Sequence, residues 1–172
     1  MTALLPYSGI MAGSITDREV WRVPVASDRL GSEALSEGGR PSQELRITIE
    51  NESEIPVWLE PTARKLVELL KLESGWDSYS AKPISPHHVE GMFELLCEIL
   101  EAHTPPPSVV PTTRGGIQVE WHRNGADLEI ETLSRYRFQV SFEDRTSREE
   151  WEKELSIDDD LRFFRPIIQR IS

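Results

Sequence analysis

The residues best suited to chemistry stand on either side of one dipeptide. Gln118, Glu120 and His122 precede Asn124-Gly125, and Asp127, Glu129 and Glu131 follow it. Apolar residues interleave with both sets: Ile117, Val119 and Trp121 before the dipeptide, Leu128 and Ile130 after it. Alternation of this kind marks a half-buried strand. Asn-Gly is the strongest short hairpin signal, because both central residues of a type I′ turn need positive φ. A two-residue turn also sets the register. Arg123 then faces Ala126, His122 faces Asp127, Trp121 faces Leu128, Glu120 faces Glu129 and Gln118 faces Glu131. One side of the hairpin thus collects Glu120, His122, Asp127, Glu129 and Glu131. The pairing of His122 with Asp127 is favourable, whereas directly opposed glutamates repel. Such crowding should raise at least one carboxyl pKa unless cations answer it.

Three chemistries fit this face. The simplest is a solvated polar surface, with Arg137 on the next strand neutralising part of the charge. The second is a docking surface for a basic partner. The third is a divalent-metal or acid–base site, in which a metal-dependent hydrolase or nuclease would use Glu120, His122, Asp127 and Glu129. Carboxylates with one imidazole are acceptable ligands for Mg²⁺ or Mn²⁺. Alternate residues along a strand project in parallel, however, and do not converge. No nearby Lys completes a nuclease-like set. The sequence therefore assigns no catalytic residue, no metal ligand and no cofactor.

A second candidate is the stretch Gly75-Trp76-Asp77-Ser78-Tyr79. Asp77 either closes a turn or presents a polar tip beside two aromatic rings in a recognition pocket. Trp76, Asp77 and Tyr79 therefore join the partner-binding candidates. Other groups carry less. His87 and His88 are neighbours in a helical first turn, where their side chains point about 100° apart. His103 lies at a helix end, where a cation suits the dipole. Cys97 sits between Leu96 and Ile99 and reads as a buried small hydrophobe rather than a nucleophile. No phosphate-binding glycine motif and no G-x-S-x-G elbow occurs.

The elements that must hold these groups follow from periodicity. Ala63, Leu66, Val67, Leu69 and Leu70 form a helical stripe, with Pro61 at the expected first position and Gly75 beyond the end. Val89, Met92, Phe93, Leu96, Ile99 and Leu100 form another, with Ser85 as N-cap, Pro86 at N1 and Pro105-Pro106-Pro107 as the stop. From about Gly116 to Phe142 the period is two. It implies a three-stranded antiparallel meander whose last strand carries Tyr136, Phe138, Val140 and Phe142 inward if no bulge intervenes. Ser108-Val109-Val110 is a candidate fourth, edge strand. Leu45 to Glu50 alternates as a strand, and Val20 to Val25 reads as a short strand or anchor. Thr146 to Lys153 reads as charged and helical. A last helix would start near Ser156, with Asp158, Asp159 and Asp160 in its first turn and Pro166 kinking it.

The expected fold is α+β: two helices packed on a three- to four-stranded antiparallel meander, with a flexible N-terminal arm over 1–44, a core domain over 45–145 and a C-terminal helical tail over 146–172. The stretch from Ala26 to Gln43 is rich in Ser and Gly and too poor in patterned apolar residues to offset its ordering entropy.

Composition narrows the function classes. The chain has 172 residues, 19 Lys and Arg against 30 Asp and Glu, and a formal charge of −11. That balance disfavours direct nucleic-acid binding, which needs clustered Lys and Arg. A single Cys forms no internal disulfide, so a disulfide-stapled secreted scaffold is excluded. There is no apolar run of membrane-spanning length, and the start, Met1 to Tyr7, has no positive region before its apolar stretch. The expected location is cytoplasmic, with no membrane partner.

From Gly75 to Glu131 the chain resembles an uncharacterised bacterial family of small proteins. The likeness lies in Gly75-Trp76-Asp77, Tyr79, Ala81 and Pro83-Ile84-Ser85-Pro86. It continues in Pro107-Ser108-Val109-Val110-Pro111-Thr112, Gly115-Gly116-Ile117-Gln118, Glu120-Trp121-His122, Gly125 and Asp127-Leu128-Glu129-Ile130-Glu131. The resemblance implies no activity and imports no catalytic residue. It implies a small cytoplasmic protein of the kind encoded in pairs, like toxin–antitoxin or defence modules. The leading expectation is a non-enzymatic, acidic protein-interaction module, antitoxin- or immunity-like, that neutralises a basic partner encoded nearby. A self-assembling homo-oligomer that buries Trp21 or the aromatics Phe163 and Phe164 is a further reading.

Overall fold

The computed structural model describes residues 55–172 in full and, before them, the backbone of 20–25 and 43–48. The chain divides into two compact units, one ending at Ser53 and the other beginning at Glu54. In the first unit, β1 (Val20–Val25) pairs antiparallel with β2 (Gln43–Thr48), setting Val20 opposite Thr48 and Val25 opposite Gln43. The strand expected over 45–50 is thus present two residues earlier, and its partner is β1. The expectations of a flexible stretch over 26–42 and of a break over 51–54 lie outside the described residues, as does the side chain of Trp21.

The second unit is α+β. Helices α1 (Leu59–Leu69) and α2 (Pro86–Ile99) precede five strands: β3 (Ser108–Pro111), β4 (Ile117–Arg123), β5 (Ala126–Ser134), β6 (Arg137–Asp144) and β7 (Glu149–Ser156). A 3₁₀ turn (Leu161–Phe163) and α3 (Phe164–Ile171) close the chain. The strands form one antiparallel meander in the order β3-β4-β5-β6-β7. The sheet is therefore one strand wider than the widest expectation, and a third helix packs on it.

The β4–β5 register is the one a two-residue turn imposes. His122 pairs with Asp127, Trp121 with Leu128, Glu120 with Glu129 and Gln118 with Glu131. Asn124 and Gly125 have φ of 53° and 77°, the left-handed values that a type I′ turn requires. Inward, Ile117, Val119, Leu128, Ile130, Phe138 and Val140 are fully buried, and Trp121 nearly so. Each such burial contributes about 1.5–3 kcal/mol, so this face of the sheet is one wall of the core and the helices supply the other. Trp121 Nε1 donates to Pro105 O at 2.7 Å, so its polar edge is satisfied as well.

The third meander strand begins one residue later than the period suggests. The β5–β6 register shifts between Thr132 and Ser134, and Tyr136 falls outside the strand with 45% of its surface exposed. The extra residue of this bulge, Leu133, lies on β5, whereas Tyr136 stands in the turn before β6. The same place receives α2. A Cβ on Gly91 would stand 1.8 Å from Arg135 O, so only a glycine lets the helix lie this close to the β5–β6 turn.

Several local expectations change. Pro61 is the third residue of α1, not the first. Pro86 does open α2, after Ser85, but Ser85 makes no side-chain cap bond. The helix ends at Ile99, well before the prolines, where Leu100 turns extended. Residues 149–156 are strand, not helix: Trp151, Lys153 and Leu155 pair with Phe142, Val140 and Phe138, and the ladder to β6 outweighs a local composition that favours neither state. Pro166 kinks nothing, because α3 starts at Phe164 and the proline sits in its first turn, where an N–H has no helical partner. The helix expected from Ser156 begins only at Phe164, and Asp160 caps the 3₁₀ turn before it, accepting from Arg162 N at 3.1 Å.

Candidate functional site

Helices α2 and α3 lie against β4 and β5, and among the described residues no helix packs on the opposite side of the sheet. There the register builds three rows. His122, Asp127, Glu143 and Glu150 form one; Glu120, Glu129, Ser141 and Glu152 form the second; Gln118, Glu131, Gln139 and Glu154 form the third. All five hairpin candidates, Glu120, His122, Asp127, Glu129 and Glu131, thus share one face. It carries eight carboxylates: those four, with Glu143, Glu150, Glu152 and Glu154. A shallow depression of about 490 Å³ runs between Asp127, Glu129, Glu143, Glu150 and Glu152.

Counter-charges answer part of this field. Arg145 bonds Asp127 and lies 3.6 Å from Glu143. Arg114 Nη2 donates to Glu131 Oε1 at 2.6 Å, and Arg137 bonds Glu154. Among the described residues, three arginines against eight carboxylates leave five negative charges with His122 neutral. Gln118 holds the opposed glutamates without any charge, its Nε2 donating 3.0 Å to Glu120 Oε1 and 3.1 Å to Glu129 Oε2. Hydrogen bonds to ionised groups contribute about 1.5–3 kcal/mol, more than the few tenths to 1 kcal/mol that the facing charges cost. His122 Nδ1 lies 2.7 Å from Asp127 Oδ1, and its Nε2 lies 3.3 Å from Glu120 Oε2. The hydrogen bond to Asp127 holds the imidazole above its ordinary value; partial burial opposes this and Glu120 adds to it.

The aromatic loop is a separate structure. Asp77 Oδ1 accepts from Tyr79 N at 2.9 Å and from Ala81 N at 3.1 Å, so the carboxylate closes a turn. Trp76 Nε1 donates to Lys82 O at 3.1 Å. Both polar groups serve the loop itself, while Tyr79 projects with 89% of its surface exposed. Lys82 N donates to Thr113 O and Ser85 N to Gly115 O, which clasps the loop to the β3–β4 turn. Ala81 and Ile84 are buried beneath this junction.

The remaining titratable groups are also placed. His88 Nδ1 lies 3.0 Å from Thr132 Oγ1, and burial, with His87 beside it, lowers its pKa against the opposing pull of Glu131. His87 turns instead to Glu90 Oε2 at 3.4 Å. Cys97 is exposed on α2 rather than in the core. Shielding of the sulfur, with Glu98 and Glu94 nearby, pushes its thiol up to about 12, which leaves it inert as a nucleophile. Among the described residues no three His, Cys, Asp or Glu side chains are grouped to hold a metal ion, so the hairpin carboxylates lie side by side without converging.

Sequence reasoning missed one ion pair that anchors the turns beside this face. Arg170 of α3 forks onto Asp144, Nε to Oδ2 at 2.7 Å and Nη2 to Oδ1 at 3.2 Å. Asp144 also accepts from Thr146 N at 2.7 Å, and the Arg170 guanidinium with these amides holds its carboxyl well below the usual range. Asn124 Nδ2 donates to Arg170 O at 3.2 Å, tying α3 to the hairpin turn as well. No local pattern announces a contact across 26 residues.

Comparison with protein-family models, with curated proteins and with solved structures finds no match in any of the three. Among the described residues no helix is long and apolar enough to cross a membrane.

Proposed function

We propose that this protein is an acidic interaction module that docks a basic protein partner on the helix-free face of its sheet. An antitoxin- or immunity-like protein, covering the basic working surface of its partner, is the concrete form of this reading. The observation that carries it is the excess on that face among the described residues: eight carboxylates against three arginines, with Glu120 and Glu129 directly opposed. A solvated sheet face gains nothing from facing glutamates, whereas a surface that meets Lys and Arg gains on-rate and selectivity from them. Tyr79, exposed on the clasped loop, supplies an aromatic contact of the type enriched at interfaces.

The test is affinity capture with the full chain and with a variant carrying Glu120→Gln, Glu129→Gln and Glu131→Gln. The proposal expects a stoichiometric basic protein on the wild type, released by salt and absent from the variant. The same proteins on both baits, or release that ignores salt, would contradict it.

A further inference from the structure

β7 is the last strand of the sheet next to the acidic face. Among the described residues no strand pairs with the outer side of β7. Ile157 N donates to Tyr136 O at 3.0 Å, one step beyond the Arg137–Ser156 pair. Antiparallel ladders alternate, so Trp151, Lys153 and Leu155 direct their backbone groups to β6. Glu150, Glu152 and Glu154 direct theirs outward. Ser156 shares that outward parity, but Asp159 Oδ2 already takes its N–H at 2.7 Å, which ends the open stretch.

The two sides of this edge differ in chemistry. The side chains of Glu150, Glu152 and Glu154 lie on the acidic face. On the other side a groove of about 420 Å³ runs between β7 and α3, lined by Phe142, Trp151, Lys153, Phe163 and Ile167. Its rings form a ladder, Trp151 standing 5.7 Å from Phe142 and 6.1 Å from Phe163. An edge of this make-up reads a strand by alternation, carboxylates on one side and, on the other, aromatic rings over which Lys153 Nζ lies, 4.7 Å from Trp151 and 3.2 Å from Phe163.

We infer that the outer edge of β7 receives an extended segment of the basic partner as an added antiparallel strand. Its Lys or Arg side chains meet Glu150, Glu152 and Glu154, and its intervening apolar side chains rest beside the Trp151–Phe163 groove. The same glutamates turn away a second copy of this chain, since β7 paired with β7 would set Glu beside Glu. The inference rests on the basic-partner reading and adds the mode of contact.

The probe is a short synthetic peptide of alternating Lys and Val, with a copy N-methylated on its Lys amides and a third with Lys and Val in separate blocks. In the antiparallel pairing, the Lys residues that face glutamate are the ones whose amides point to β7. Methylation should therefore weaken binding to the full chain at least about tenfold at unchanged charge. Amide exchange at Glu150, Glu152 and Glu154 should slow by roughly tenfold or more with the unmethylated peptide. Glu152→Pro removes the outward N–H together with the carboxylate that accepts from Gln139 Nε2 at 3.0 Å, so it is read against Glu152→Gln, which keeps the N–H and should bind the peptide at least about tenfold more tightly than the proline variant. If the methylated or block peptide binds as well as the alternating one, or those three amides stay unprotected in the complex, edge pairing is overturned while docking on the acidic face stands. If none of the three peptides binds at low salt, both readings fall.

Discussion

Glu120 and Glu129 face each other across β4 and β5, and the side-chain amide of Gln118 donates to both. The amide has two N–H groups and spends one on each carboxylate, so like charges sit in register without a cation between them. That arrangement preserves the negative field of the face while limiting its cost to the fold.

Glu129→Gln should therefore raise stability, by about 0.5 kcal/mol, and weaken partner binding. Gln118→Leu should cost about 1 kcal/mol, and less in the Glu129→Gln background, because the bridge then has less repulsion to offset. Urea unfolding of the four proteins closes the cycle. Additive effects would mean that Gln118 is not coupled to the pair.

His122 gives the face a pH response. Its folded pKa is raised, chiefly by Asp127, so the folded state binds the proton more tightly than the unfolded chain. The resulting stabilisation is complete below about 6.5, the unfolded value, and is lost as pH rises through the higher folded value. An NMR titration should place His122 above a free histidine, and Asp127→Asn should bring it down. Protonation also removes one net negative charge from the face, so a basic partner should bind more weakly on the acid side of this transition.

The Asp144–Arg170 fork carries the opposite sign. A carboxyl with a depressed pKa contributes stability that is complete above its unfolded value, about 4, and fades as pH falls toward the folded one. Arg170→Ala should lower the unfolding midpoint at pH 7, and the gap from wild type should narrow below about pH 4. Arg64→Ala, which removes an exposed pair with Glu60, should leave the midpoint unchanged. A gap that stays constant with pH would contradict the role given to Asp144.

Gly91→Ala tests the seat of α2. A Cβ there meets the backbone oxygen of Arg135, not a side chain that can swing away. The helix must lift off the β5–β6 turn, at a cost of roughly 3 kcal/mol. A variant with wild-type thermal stability would show that the helix sits further from the sheet.

The legible parts of this fold are those governed by neighbours in sequence. Asn124-Gly125 dictates a local turn, so the pairing from Arg123–Ala126 out to Gln118–Glu131 follows from counting, and the inner face follows from the same period. Tyr136 lies exposed because the chain turns at Arg135–Tyr136, before β6 begins, and nothing in the period of two marks where the strand starts. β7 was obscure because Glu149 to Ser156 holds few apolar residues and becomes a strand through the edge that β6 offers. The extension of the acidic face to Glu150, Glu152 and Glu154 was hidden with it. So were the arginine partners Arg114, Arg145 and Arg170, which reach their carboxylates across 17, 18 and 26 residues.

A second acidic groove, between Glu94, Glu98 and Glu101 of one stretch and Asp158, Asp159 and Asp160 of another, provides an internal control for the central claim. Bulk charge would draw a basic ligand to both places; the register-built face should win because its carboxylates form an ordered row. Chemical-shift mapping of the full chain with a lysine-rich peptide tests this directly. The account predicts perturbations at Gln118, Glu120, Glu129, Glu131 and Glu152 that saturate while Asp158 to Asp160 stay still. Equal shifts at both clusters, or shifts confined to the second groove, would contradict it.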